Sequence, residues 1–237
     1  MKYLVIVQAR TNSLRLPNKV MKKIMKKTII EILLYRLSYS QLIDKIVIAT
    51  TRNKEDTKLV KLVKDLGYEV YRGSEKNVLK RFFDVSKIYK AKSIIRITGD
   101  CPLIEPKIVD RVIKLFEKNQ VDYCSNINPR TFPKGLDVEV FTPKALEYSL
   151  KKAKKINDFE HVTTIMRKSK KIKKANLFSK KKLSNIRVTL DEKIDFQVIK
   201  SVINYFKNNL NFSYGELCKL TKNEPKLFRL NSHLNKN

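Results

Sequence analysis

Two hydrophobic periods run through the first half of the chain. "YLVIVQ" (3–8), "KIVIATT" (45–51) and "SIIRITGD" (93–100) begin as unbroken apolar runs, the pattern of strands covered on both faces in a parallel sheet. "YEVYRG" (68–73) reads as a shorter strand. Between them, apolar residues recur at helical spacing in "TIIEILLYRLSYS" (28–40), "NKEDTKLVKLVKDLG" (53–67), "SEKNVLKRFFDVSKIYKA" (74–91) and "PKIVDRVIKLFEKN" (106–119). Gly67 suits the residue just past a helix end, Ser74 suits a helix N-cap, and Pro106 suits a first helical turn. This repetition predicts an α/β fold with a doubly wound, mostly parallel, Rossmann-like sheet. Ligands of such sheets lie beyond the carboxyl ends of the strands.

The pattern changes after residue 120. Residues 121–143, "VDYCSNINPRTFPKGLDVEVFTP", alternate short β-like pieces with Pro and Gly turns and predict a small irregular β insertion. A helix with basic flanks follows, and "IRVTLDEKIDFQVIKSVINYF" (186–206) reads as strand, loop and helix. No repeat or low-complexity linker interrupts the chain. Residues 1–230 are therefore expected to form one domain, with 121–160 as an elaboration of it and 231–237, "NSHLNKN", as a frayed tail.

Composition changes this picture little. With 237 residues and 42% hydrophobic positions the chain can bury a sizeable core. The opening apolar run is too short to span a bilayer and has no small-residue cleavage site, so it reads as a strand of a cytoplasmic protein with no membrane partner. Three cysteines, Cys101, Cys124 and Cys218, show no CxxC spacing, which argues against a zinc site or a disulfide framework. The formal net charge of +29 is spread over the chain. Even in the densest block, 151–182, lysines interleave with Ile156, Phe159, Val162, Ile165, Ile172 and Leu177, as on elements with one wet face. A basic nucleic-acid-binding module is the rival class, but the aromatic residues do not cluster with the lysines into a stacking platform, so no specific nucleic acid is expected.

Three segments carry candidate chemistry. The first strand runs straight into a loop holding Arg10, Ser13, Arg15 and Lys19. Guanidinium, ammonium and hydroxyl donors around one small volume suit the oxygens of a triphosphate. The loop lacks the glycines and the GK[ST] of a Walker A motif. Asp100 follows the apolar run of "SIIRITGD", where a carboxylate faces the ligand crevice and suits Mg²⁺. Asp191 ends a second apolar run in "RVTLDEKIDF", with Asp195 four residues on near a helix start. Two aspartates meeting on a metal suit nucleotidyl transfer.

These segments, "VIVQARTNSLRLPNKVM", "YRGSEKNVLKRF", "RITGDCPLIEP", "DYCSN", "FPKGLDVEVF", "EHVT" and "RVTLDEKIDF", occur in the order found in the acidic-sugar cytidylyltransferases. The chain resembles that superfamily, which includes the acylneuraminate and 3-deoxy-manno-octulosonate enzymes, and most of all its spore coat polysaccharide branch. The resemblance runs over roughly residues 3–206. It implies a fold of the nucleotide-diphospho-sugar transferase type and transfer of CMP from CTP to an acidic sugar, with release of pyrophosphate. It places the CTP phosphates on Ala9, Arg10, Ser13, Arg15 and Lys19, and the base and ribose near Ala49, Thr50, Gly73, Ser74 and Arg81. Asp100 and Asp191 become the Mg²⁺ ligands, and Arg10, Lys19, Asp100 and Asp191 the catalytic set. It also implies a homodimer. The departures are Lys193 and Ile194, where relatives often carry Pro-Glu, and the absence of Pro after "EHVT".

On the acceptor side, "SNINPRTFPKGLDVEVF" supplies Asn126, Arg130, Lys134, Asp137 and Glu139, cations and mixed partners for a carboxylated sugar, and "EHVT" adds His161. A glycosyltransferase of the same fold is the alternative enzyme. It would consume a nucleotide-sugar and release no pyrophosphate from CTP.

Overall fold

The computed structural model describes residues 1–207 and 209–236. In chain order the first half contains β1 (Tyr3–Gln8), a two-residue ladder of β2 (Lys23–Ile24) with β3 (Lys27–Thr28), α1 (Ile29–Leu37), β4 (Lys45–Thr51), α2 (Thr57–Asp65), β5 (Glu69–Gly73), α3 (Val78–Ile88) and β6 (Ser93–Thr98). The second half adds α4 (Pro106–Asn119), β7 (Tyr123–Ser125), β8 (Glu139–Phe141), α5 (Pro143–Lys152), α6 (Ile156–Glu160), α7 (Thr164–Lys168), β9 (Lys174–Asn176), α8 (Lys193–Tyr205), α9 (Tyr214–Asn223) and α10 (Pro225–Arg229).

One seven-stranded sheet in the order β5-β4-β1-β6-β8-β7-β9 organises these elements. The first four strands are parallel, and β8 pairs antiparallel with both β6 and β7. Side chains on a strand point alternately to opposite faces. Val5 and Val7 therefore join one core with α1, α2, α4 and α8, while Leu4 and Ile6 join the other with α3, α5 and α7. This is why the unbroken apolar runs are needed: both faces are covered.

The chain winds outward through β1, β4 and β5, then α3 crosses to the opposite face and returns it to β6 beside β1. The winding reverses between β1 and β6, and a crevice opens beyond their carboxyl ends. There the Gly99 amide donates to the Gln8 carbonyl at 2.8 Å. A Cβ on Gly99 would lie 2.8 Å from that of Ala9, so a side chain would push the two strand ends apart.

Local signals place the elements with four differences. Gly67, at φ +82°, closes α2, with Gly67 N donating to the Lys64 carbonyl and Tyr68 N to that of Val63. The third helix, however, is capped by Asn77, whose side chain accepts from Lys80 N. Ser74 instead accepts from Asn77 N and shapes the preceding turn. The pieces within 121–143 do not stand apart: β7 and β8 extend the main sheet. The segment 187–190 is extended but joins no strand; Val188 N donates to the Lys134 carbonyl and Leu190 N to that of Asp100. At the tail, Asn231 is fully buried and donates to Asp195 and to the Arg187 carbonyl, so packing secures it. A short 3₁₀ helix follows over Ser232–Lys236, and Asn237 lies outside the described residues. No helix among the described residues is long and apolar enough to cross a membrane.

Candidate active site

The loop after β1 is folded back on itself. The Thr11 carbonyl accepts from Ser13 N at 3.1 Å and from Asn18 N at 2.8 Å. Asn18 adopts the left-handed conformation at φ 56° and leads into the 3₁₀ turn Lys19–Met21. The Thr11 amide and hydroxyl both donate to Asp56. Asp56 also accepts from the hydroxyls of Thr50 and Thr51 and from the Thr51 amide. Burial raises the pKa of this carboxyl, yet the surrounding donors win and hold it below its ordinary value. Asp56 thus ties the exits of β1 and β4 together. Sequence reading passed over it because it sits in a polar helix-start segment.

The three loop cations end on three sets of acids. Arg10 pairs with Glu75 at 3.3 Å. Arg15 reaches Asp191 at 3.2 Å and Glu192 at 3.3 Å. Lys19 Nζ lies 2.6 Å from Asp100 Oδ2 and 2.9 Å from Asp191 Oδ1. Burial opposes the Lys19 charge, but Asp100 and Asp191 outweigh it and its pKa rises. Burial likewise opposes the Asp191 charge, and Lys19, Arg15 and Arg187 overcome it, bringing that carboxyl to about 2. Arg187 and Asp195 hold Asp191 from behind: Arg187 donates to Asp191 Oδ2 and to both Asp195 oxygens, while Asp195 accepts from Asp191 N and Glu192 N. Asp195 is fully buried inside this network, and its role is to shape the turn that carries Asp191.

Among the residues expected near the nucleoside, the Ala49 carbonyl accepts from Ala9 N at 3.3 Å and from Arg81 at 3.2 Å. Thr50 is fully buried with its hydroxyl on Asp56, so its side chain is committed to the protein. A Cβ at Gly73 would come within 2.7 Å of the Arg81 side chain; glycine there lets Arg81 pack close to the strand end. Arg81 is buried, has no ion-pair partner among the described residues, and its Nε makes no hydrogen bond within the protein. Burial, reinforced by the charge of Arg10, lowers its pKa to about 10. A buried guanidinium with unused donors is a binding group in want of an acceptor. Ser13 lies in the loop, partly exposed, and Leu14 at its tip is 98% exposed.

The residues singled out for the acceptor divide into two groups. Asn126 is fully buried, with its amide donating to the Leu136 carbonyl and its oxygen accepting from Val138 N. Glu139 is also buried and accepts from Arg96, Tyr123 and Thr163. These two side chains brace the crevice from inside the protein. Arg130 and Asp137 form a bidentate pair at 2.6 and 2.7 Å, and Asp137 also accepts from Gly135 N. Burial, then the charge of Arg187, lowers the pKa of Lys134. His161 is exposed at the end of α6, with Glu160, Arg96, Arg167 and Glu139 the nearest charges; desolvation lowers its pKa. Arg96, which also donates to Gln8, and Arg187 escaped sequence reading, since each lies inside an apolar run.

Comparison with known proteins identifies the family. The family model described as cytidylyltransferase matches residues 4–217. An uncharacterized protein of Methanocaldococcus jannaschii is 38% identical over 99% of this chain and 96% of its own. The spore coat polysaccharide biosynthesis protein SpsF of Bacillus subtilis is 31% identical over 94% of this chain and 95% of its own. Among solved structures, a cytidylyltransferase from Leptospira borgpetersenii superposes with a TM-score of 0.92 at 34% identity, over 96% of this chain and 97% of that one. The chain therefore belongs to the cytidylyltransferase family.

Proposed function

We propose that this cytidylyltransferase transfers CMP from CTP to the hydroxyl of an acidic sugar of the nonulosonic or octulosonic type, with release of pyrophosphate, for surface polysaccharide synthesis. The observation that carries the reading is the meeting of Lys19 with Asp100 and Asp191 at the foot of a loop that also presents Arg10 and Arg15. A cation-bearing loop beside two carboxylates suits a triphosphate and its divalent ion. The relative's role in spore coat polysaccharide biosynthesis supports the pathway class.

The residues present fit Mg²⁺. Both carboxylates meet on one ammonium, so the pair already holds a cation between them. Mg²⁺ is commonly held by one or two carboxylates plus substrate phosphates rather than by an all-protein cage. When bound by Asp100 and Asp191, it would neutralise phosphate charge and align the attacking oxygen.

The protein's own groups supply the rest. The acceptor oxygen forms a bond to the α-phosphorus while the bond to the bridging oxygen of pyrophosphate breaks. Arg10, Arg15, Lys19 and Ser13 bind the departing phosphates, and Arg81 with the backbone at Ala49, Thr50 and Gly73 holds the nucleoside. Such positioning and charge stabilisation account for most of what phosphoryl transfer requires. Lys134 and Arg130 face the acceptor's carboxylate, and neutral His161 accepts the proton of its hydroxyl. The active form is a homodimer.

The test is thermal stability with CTP, UTP, ATP, GTP and dTTP, each with and without Mg²⁺, in moderate salt. A ligand at a hundred times its dissociation constant adds about 2.7 kcal/mol. The reading requires CTP to stabilise most, followed by pyrophosphate release when acid acceptors are screened. No selectivity for CTP, or turnover of a nucleotide-sugar without pyrophosphate from CTP, sinks it.

A further inference from the structure

The position of Lys19 has a consequence beyond phosphate binding. Its ammonium bridges Asp100 Oδ2 and Asp191 Oδ1 at 2.6 and 2.9 Å, and only 14% of its side chain is exposed. Arg15 meets the same Asp191 oxygen from the solvent side, and Arg187 holds the other oxygen. A Mg²⁺ ion bonds carboxylate oxygens at about 2.0–2.1 Å. An ion bonded to both oxygens would crowd the ammonium that already holds them, and two cations in one small volume repel. Lys19 and a metal therefore exclude each other at this pair of carboxylates.

The surrounding chain confines the movement that resolves this exclusion. The Lys19 backbone is held in its 3₁₀ turn by the Asn18-to-Thr11 bond, and Thr11 is anchored on Asp56. The four-carbon stem is the free part, and lysine's ammonium is a compact charge on a flexible arm. Leaving two carboxylates for water is costly unless another cation replaces it, and a polyphosphate nearby gives the ammonium a new partner.

We infer that Lys19 is a resident counter-ion that the protein exchanges for metal. Without nucleotide, it fills the cation position between Asp100 and Asp191 and keeps divalent ions out. A polyphosphate arriving at the loop draws the ammonium onto its oxygens and frees both carboxylates, so metal and nucleotide enter as a coupled pair. Coupling is reciprocal: whatever factor nucleotide adds to metal affinity, metal adds to nucleotide affinity. On product release the ammonium returns and expels the ion. The exchange rests on the proposed reading in taking Asp100 and Asp191 as the metal ligands and the visiting polyphosphate as CTP.

The experiment is Mn²⁺ binding to nucleotide-free protein, read as loss of the free-ion electron paramagnetic resonance signal, for wild type, K19M, K19Q, K19R and K19M/D100N. Circular dichroism checks that each variant is folded, and either neutral variant suffices. The exchange requires K19M or K19Q to bind Mn²⁺ at least ten times more tightly than wild type. K19R, which keeps the charge, should stay as weak as wild type, and K19M/D100N should lose the gain. Neutral variants that bind Mn²⁺ no more tightly than wild type overturn the exchange. Thermal shifts with CTP on the same wild-type preparation separate the two ideas. A gain in Mn²⁺ affinity without CTP selectivity upholds the exchange and overturns the reading, while CTP selectivity without the gain does the reverse.

Discussion

Thr11 donates twice to Asp56, through its amide and its hydroxyl, each at 2.7 Å to the same oxygen. This joins the loop after β1 to the turn after β4, 45 residues away, and the other Asp56 oxygen serves Thr50 and Thr51. Asp56→Ala leaves several buried donors without an acceptor, so it should cost roughly 2–4 kcal/mol in urea unfolding. Protein that remains folded should bind CTP more weakly, because the loop loses its anchor. A CTP affinity unchanged by this substitution would show that the loop is held in place by other contacts.

Asp100→Asn should preserve the fold and abolish transfer. The side chain keeps its size and is partly exposed, but it loses the charge that faces Lys19 and suits a metal. Pyrophosphate release within tenfold of wild type would rule out Asp100 as a metal ligand.

Asp191 links the site to acid stability. Its carboxyl, held near 2, lies below the ordinary aspartate value of about 3.9. The unfolded chain therefore takes up a proton first as pH falls. The stabilisation is fully present above the unfolded value and fades as pH drops through about 2. Asp191→Asn should lose roughly 2 kcal/mol near neutrality, and its deficit against wild type should shrink below about pH 4. Denaturant unfolding over that range reads this directly; a deficit independent of pH means another cause.

On the proposed reading, which puts His161 with the acceptor, His161→Asn should leave CTP affinity intact and lower turnover; its nearest charges are Glu160, Arg96, Arg167 and Glu139. In wild type, desolvation lowers the histidine pKa, so activity that uses the neutral ring should persist below pH 6.5 before it declines. Unchanged turnover in the variant removes His161 from the site.

Gly135 has φ +108°, and a Cβ there would lie 2.5 Å from the Thr189 amide nitrogen. Its neighbours, not its flexibility, make it necessary: the turn packs directly on the extended segment leading to Asp191. Gly135→Ala should destabilise the fold by roughly 2 kcal/mol and displace Asp191, lowering turnover more than thermal stability alone explains. Wild-type kinetics in the variant would separate this turn from the site.

Near-neighbour chemistry in the sequence is enough to specify β1, β4 and β6 as strands covered on both faces, the helices between them, the cation-bearing loop and the position of Asp100 after β6. Apolar periodicity and turn residues act over a few positions, so they can be read along the chain. They do not determine which charge meets which. Lys19 and Asp191 are 172 residues apart, Arg15 and Glu192 177, and their meeting depends on where α8 and the segment before it pack against the winding reversal. The same packing turns Asn126 and Glu139 inward onto protein partners and makes Asp56 and Arg187 central to the site. Coulomb and hydrogen-bond energies depend on distance through space, and only the folded chain sets that distance.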